Sequence, residues 1–254
     1  MNSHSRQQKI LGLVRGAGSI SIHQLVDCLG ASPAMVRRDL VALEEAGKLI
    51  RTHGAVKDPR SLSGEPSFSV KRERIPAVKR RIGQAVADQI AKGASVFVDA
   101  GTTCLEAGMA LMKRGGCMLY TNSLPLLYNA EKADTPLVGI GGQLHTISRA
   151  MVGALALDWL RHLRFDYAVL GASGLHPDDG ALTTESLEAG VKQMVIERSK
   201  HSIQAADSDK LNQSASVRFA DWSAFDVWVS DAAVPPALRR KLKAVKGFSL
   251  KIID

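Results

Sequence analysis

From Ile75 onward, short apolar runs alternate with stretches whose apolar residues recur every three or four positions, and this alternation constrains the fold more than any other feature. Val78, Ile82, Val86 and Ile90 mark a helix ahead of the run SVFVD. A helix from Leu105 to Met112 leads to CMLYT, one from Leu124 to Lys132 leads to PLVGIG, and one from Leu155 to Leu163 leads to DYAVLG. A further helix, Leu187 to Ser199, precedes the runs SIQAAD, FDVWVSD and SLKII, with a helix from Leu238 to Val245 before the last. Apolar strands separated by amphipathic helices specify a parallel sheet covered on both faces.

Such sheets bind ligands beyond the C-terminal ends of their strands. This sequence places polar loops there: DAGTT (99–103), TNS (121–123), GIGGQ (139–143), GASG (171–174) and ADSDK (206–210). Gly101 lets backbone approach a ligand, and Thr102 and Thr103 open a helix, where hydroxyls, free N–H groups and the helix dipole favour a phosphate. Thr121, Asn122 and Ser123 repeat the arrangement one strand over, and Gly142 and Gly171 mark two more close approaches. Lys192 and Lys210 supply point charge, and Asp99 and Glu188 accept hydrogen bonds from hydroxyls.

The first third differs in charge. Residues 1–80 hold 14 Lys and Arg against 7 Asp and Glu, whereas residues 81–254 hold 19 against 18. A basic small domain beside a near-neutral large one points to a polyanion as partner of the small one.

Three helices are expected before residue 50. The first, Ser5 to Arg15, buries Ile10, Leu11 and Val14. The second, capped by Ser21 and ended by Gly30, buries Leu25, Val26 and Leu29. The third begins with Ser32 as N-cap and Pro33 at the first helical position, and its buried stripe is Val36, Leu40 and Leu43. Ala34, Arg37, Arg38 and Val41 therefore face outward. Two helices joined by a Gly-Ala-Ser turn, the second exposing small residues and two arginines, match a helix-turn-helix whose recognition helix enters the major groove. KLIRTHGAVKD, with alternating runs on either side of His53-Gly54, reads as a basic hairpin, the wing.

Residues 6–57 resemble the N-terminal domain of DeoR-type bacterial transcription regulators. The resemblance rests on Arg6, Ser32, Val36, Arg37, Arg38, Asp39, Leu40, Leu43, Gly47, Arg51, His53 and Gly54. Met35 stands where that family usually has threonine, and Ala55 replaces a second wing glycine. The resemblance implies double-stranded operator DNA as partner, contacted from Ser32, Ala34, Met35, Arg37, Arg38, Arg51 and His53. Residues 75–254 also resemble the DeoR sensor domain, through DAGTT, TNS, Gly141-Gly142, FDYAVLGASG, Glu188 with Lys192, and Asp207, Ser208 and Lys210. His145 and Thr146 stand where one or two arginines are usual, with Arg149 four residues beyond His145, and Leu211-Asn212 replaces Phe-Gly. That fold is similar to ribose-phosphate isomerases, and the resemblance implies a phosphorylated sugar or polyol as effector.

The expected organisation is α/β. A winged helix-turn-helix domain (1–57) and a linker (58–74, rich in Pro, Ser, Gly and charge) lead to a parallel-sheet effector domain (75–254). No membrane segment, metal site, cofactor or catalytic residue is assigned. The polar N-terminus and three separated cysteines indicate a cytoplasmic chain with reduced thiols. A two-fold DNA site calls for a homodimer or homotetramer. The competing expectation is a sugar-phosphate isomerase-like enzyme, with Asp99, Glu185, Glu188 and Asp207 as candidate proton-transfer groups.

Overall fold

The computed structural model describes residues 2–17, 19–52, 54–57, 66–130 and 135–253. The chain divides into two compact units, Met1–Arg74 and Ile75–Asp254.

In the small unit, α1 (Ser3–Ala17), α2 (Ile22–Leu29) and α3 (Pro33–Glu45) bury Ile10, Leu11, Val14, Leu25, Val36, Leu40 and Leu43 in one core. The helix boundaries follow local chemistry. Ser21 and Gln24 form a capping box at α2, whose end is set by Gly30 at φ 56°, and Ser32 caps α3 with Pro33 inside its first turn. β2 (Ile50–Thr52) and β3 (Ala55–Lys57) form the wing hairpin, and Val56 enters the core. A third strand, β1 (Ser19–Ser21), pairs with β3 and was not expected, since three residues ahead of a helix cap carry no period of their own.

The expected linker needs correction. Residues 58–65 lie outside the described residues, but Phe68–Glu73 form a short helix, α4, within the small unit. Ser67 caps it, the Ser67 N–H donates to the Ala17 carbonyl at 3.1 Å, and Phe68 is buried. One aromatic anchor in a basic run generates no periodicity, so the sequence concealed this helix.

The large unit begins with α5 (Pro76–Ala87). The strands β4 (Ser95–Val98), β5 (Met118–Thr121), β6 (Leu137–Gly139), β9 (Phe165–Leu170), β12 (Ser199–Ala205), β14 (Val227–Asp231) and β15 (Ser249–Ile253) form one parallel sheet. Its order is β15-β14-β12-β9-β4-β5-β6. α5 and α6 (Thr102–Arg114) cover one face. α9 (Ser186–Glu197) lies over the other, against Phe97, Ala168, Leu170 and Trp228.

From β4 the chain builds outward through β5 and β6, then returns to the far side of β4 and builds the other way. The β4/β9 boundary is therefore the topological switch point, where loops leave the sheet in opposite directions and open a crevice. Two further pieces close around that end. A hairpin of β7 (Gln143–His145) and β8 (Ala150–Val152) precedes α8 (Ala154–Arg161). A small antiparallel sheet joins β10 (Gly174–His176), β11 (Gly180–Thr183) and β13 (Val217–Ala220). The sequence assigns no element to these strands of three or four residues, because runs so short carry too few alternations to register. α7 (Leu124–Asn129) starts where expected, and the end assigned to it, Lys132, lies outside the described residues.

Candidate functional site

In the small unit, Val36, Leu40 and Leu43 point into the core while Ala34, Met35, Arg37, Arg38 and Val41 are exposed. Ser32 is fixed as a cap, its hydroxyl accepting from the Met35 N–H at 3.4 Å. The helix is anchored by a pair whose two members the sequence shows only as separate residues. Asp39 is buried and ion-paired with buried Arg6 of α1, and it also accepts from Ser3 Oγ at 2.7 Å and Gln7 Nε2 at 3.3 Å. Burial alone would raise this carboxyl's pKa, but the bonds from Arg6 and Ser3 outweigh it and hold it below the ordinary carboxylate range.

Arg51, on the wing, is tied back to the recognition helix. Its N–H donates to Glu44 Oε1 at 3.2 Å and its Nη1 to Oε2 at 3.5 Å. This exposed pair sets the wing against α3 while leaving the guanidinium at the surface. His53, the other expected wing contact, lies outside the described residues.

In the large unit, the parallel strands bring all five polar loops to one edge. At the switch point Asp99, which follows β4, forms a buried ion pair with Lys192 of α9. Asp99 Oδ2 also accepts from the Gly171 N–H at 3.1 Å, and Lys192 Nζ donates to the Gly171 carbonyl at 3.1 Å. Burial would lower the Lys192 pKa, but the Asp99 and Glu188 carboxylates more than offset it, so the ammonium stays charged. Gly171 permits this approach: a methyl there would stand 3.3 Å from Cys104 Sγ and 3.6 Å from Asp99 Oδ2. Burial, with Asp99 adding to it, drives the Cys104 thiol far above its ordinary range, so it remains protonated.

Glu188, one turn before Lys192 on α9, accepts from Thr183 Oγ1 at 3.0 Å and lies 3.1 Å from His145 Nδ1. The same His145 nitrogen lies 2.8 Å from Ser148 Oγ, so the β7–β8 hairpin is bonded to α9 beside the crevice. Asn122 braces the opposite wall, accepting from the Ala100 N–H at 3.1 Å and donating to the Met151 carbonyl at 3.2 Å. Thr102 and Thr103 are buried in the first turn of α6, whose N-cap, Gly101, provides no side chain to its N–H groups.

Other expected contacts are engaged within the fold. Thr121 Oγ1 donates to the Val98 carbonyl at 2.6 Å and accepts from the Ser123 N–H at 3.0 Å, while Ser123 Oγ caps α7 at the Leu126 N–H. Both residues are fully buried. Gly142 serves packing, since a Cβ at its φ of 155° would lie 2.6 Å from the Val152 carbonyl. Lys210 sits half-buried in a short turn of 3₁₀ helix, Ser208–Asn212. Burial raises the pKa of neighbouring Asp207, and the charges of Lys210 and Lys79 act against that rise. Lys79 of α5 is itself buried, and nothing in the local sequence signals that burial.

A groove of about 1060 Å³, lined by Arg80, Glu106, Met109, Lys113 and Met118 among others, contains none of these residues. The buried polar chemistry lies at the switch point and not in that groove. Among the described residues, no group of three or more His, Cys, Asp and Glu could hold a metal ion, and no helix is long and apolar enough to cross a membrane.

Residues 6–61 match the DeoR-like helix-turn-helix domain, and residues 76–232 match the DeoR C terminal sensor domain. The chain belongs to the DeoR family. Its relatives include the glycerol-3-phosphate regulon repressor of Haemophilus influenzae, 33% identical over 97% of this chain and 96% of that one. The corresponding repressor of Escherichia coli is 30% identical over 95% and 96%, and the transcriptional repressor AccR of Agrobacterium fabrum is 30% identical over 94% and 96%. Among solved structures, ribose 5-phosphate isomerase A from Neisseria gonorrhoeae aligns over 52% of each chain at 15% identity with a TM-score of 0.39. The relatives that match from end to end are named as regulators of transcription, and this DeoR-family protein is a DNA-binding transcriptional regulator rather than an enzyme.

Proposed function

We propose that this regulator represses a sugar or polyol catabolic operon from the cytoplasm and leaves its operator when a phosphorylated sugar or polyol binds the large unit. The observation that carries this reading is the pairing of two surfaces in one chain: an exposed recognition helix bearing Arg37 and Arg38, and a buried polar cluster at a sheet switch point. Ser32, Ala34, Met35, Arg37, Arg38, Arg51 and His53 meet DNA in this reading. The phosphate lies at the first turn of α6, by Gly101, Thr102 and Thr103, with Lys210 adding charge. Asp99, Asn122, Glu188 and Lys192 address the hydroxyls, and Thr121, Ser123, Gly142 and Gly171 shape the walls. Several relatives are named for the glycerol-3-phosphate regulon, which makes a three-carbon polyol phosphate a natural first ligand to test.

The regulator acts as a homodimer or homotetramer, matching the two-fold symmetry of operators read by helix-turn-helix proteins. Leu155 and Trp159, 69% and 59% exposed and one turn apart on α8, support self-association.

The test is binding to the DNA upstream of the protein's own gene at moderate salt. Arg37→Ala and Arg38→Ala are each expected to weaken binding by about 1–3 kcal/mol, roughly five- to 150-fold. A residue that reads a base relaxes sequence preference, whereas one that holds a phosphate lowers the salt slope by about one. Wild type and both variants binding equally weakly would remove the recognition-helix assignment.

A further inference from the structure

Gln204, the penultimate residue of β12, is fully buried, and among the described residues neither its amide nitrogen nor its amide oxygen has a hydrogen-bond partner. Burying an amide with both ends unmet is costly, and such a group in a folded chain calls for a specific explanation.

Its position supplies one. Val98 of β4 is level with Val169 of β9, so Asp99 is level with Leu170, and Leu170 is level with Gln204. Side chains alternate along a strand, so Asp99 shares the face of Phe97, the face covered by α9, and Gln204 shares the face of Leu170 and Trp228. Asp99, Leu170 and Gln204 thus form one row on one face. At about 4.8 Å per strand, the Gln204 backbone lies about 10 Å from that of Asp99. Lys192 reaches this row from α9, paired with Asp99 and with its ammonium 5.2 Å from the centre of the Phe219 ring. One end of the row is therefore a charged pair and the other an unpaired amide.

We propose that Gln204 determines the specificity of the effector site, its amide hydrogen-bonding a hydroxyl of the phosphorylated sugar or polyol while the phosphate is held at the first turn of α6. The inference rests on the effector reading above and adds the residue that distinguishes one carbon chain from another. A primary amide suits the role, because it donates and accepts and so meets a hydroxyl in either orientation.

The role and its structural alternative differ in sign. An amide needed by the core destabilises the free protein when replaced, whereas one completed only by ligand does not. Full-length wild type and Gln204→Met are compared by thermal denaturation without ligand and by calorimetric titration with inorganic phosphate, glycerol 3-phosphate, ribose 5-phosphate and fructose 6-phosphate. The expected result is a ligand-free variant that melts at or above wild type. Its Kd for the organic phosphate that wild type binds best rises at least about tenfold, and its response to inorganic phosphate is unchanged. A variant that melts lower and binds that ligand as wild type does overturns the proposal. Gln204→Leu repeats the comparison with a second apolar side chain, and failure of both variants to fold also overturns it. If wild type binds the ligand and both variants bind it equally well, only the Gln204 assignment falls. If wild type binds none of the organic phosphates, the effector reading fails and the assignment with it.

Discussion

Replacing Lys192 with methionine is expected to destabilise the large unit by about 3–5 kcal/mol, because it leaves the Asp99 carboxylate buried without its counter-charge. For a unit of this size, at about 2–4 °C per kcal/mol, that is a fall of roughly 6–20 °C in the midpoint of its thermal transition. Among the described residues the remaining partner of Asp99, the Gly171 N–H at 3.1 Å, is a neutral donor and does not replace the ammonium. A double variant, Lys192→Met with Asp99→Leu, removes both charges and is expected to recover at least half of the loss, since the desolvation cost disappears with the pair. Differential scanning calorimetry of the three proteins checks this. Equal stability of wild type and the single variant would mean that water reaches the pair and that the switch point is not a closed, low-dielectric site.

The second large effect lies in the other unit. Asp39→Ala removes the carboxylate that receives Arg6, Ser3 and Gln7, and it takes the buried counter-charge from the Arg6 guanidinium, itself only 6% exposed. The expected cost is again about 3–5 kcal/mol. In a unit of 74 residues each kcal/mol moves the midpoint by about 4–8 °C, so much of the small unit is expected to unfold at growth temperature. DNA binding should fall with it although Asp39 faces away from the exposed side of α3, and the thermal transition of the large unit should stay where it is. Asp39→Asn, which keeps the shape and some of the hydrogen bonds, is expected to recover part of the loss. Retained DNA affinity in Asp39→Ala would show that α1 does not fix the recognition helix through this pair.

What the sequence disclosed and what it withheld separate along physical lines. Features written in local code were legible. The α2 and α3 boundaries follow from Ser21, Gly30, Ser32 and Pro33, and the inward stripe Val36, Leu40 and Leu43 follows from helical spacing. The order of apolar runs gave the parallel sheet, and with it the edge where the polar loops gather. Features that depend on distant partners were not legible. Arg6 and Asp39 are 33 positions apart, and Asp99 and Lys192 are 93 apart. Asp99 and Lys192 were both named from the sequence, but as separate contacts for a ligand. Their pairing, and the place of Gly171 between them, is a property of the folded sheet.

The TNS loop shows a different limit. Thr121, Asn122 and Ser123 have the composition of a ligand loop, and the fold uses all three to hold its own turn: Thr121 against Val98, Asn122 against Ala100 and Met151, Ser123 as the cap of α7. Hydroxyl and amide groups satisfy backbone and ligand with the same chemistry, so composition does not distinguish the two uses. Gln204 was hidden for a different reason. In SIQAAD it is one of several polar residues with nothing to set it apart, and only the register across β9 and β4 places it level with Asp99.

In the proposed mechanism the two units form a switch, in which an effector bound at the sheet edge lowers the affinity of the recognition helix for DNA. Linkage requires the effector to bind the low-affinity arrangement more tightly, and couplings of this kind amount to about 1–3 kcal/mol, or roughly five- to 150-fold. The most direct measurement is the Kd of the full-length protein for the DNA upstream of its own gene, by fluorescence anisotropy at fixed salt, with and without saturating phosphorylated sugars and polyols. The expected result is sequence-specific binding that one such compound weakens at least fivefold, with no turnover of that compound. Binding indifferent to every phosphorylated ligand, accompanied by isomerisation of one of them, would contradict it.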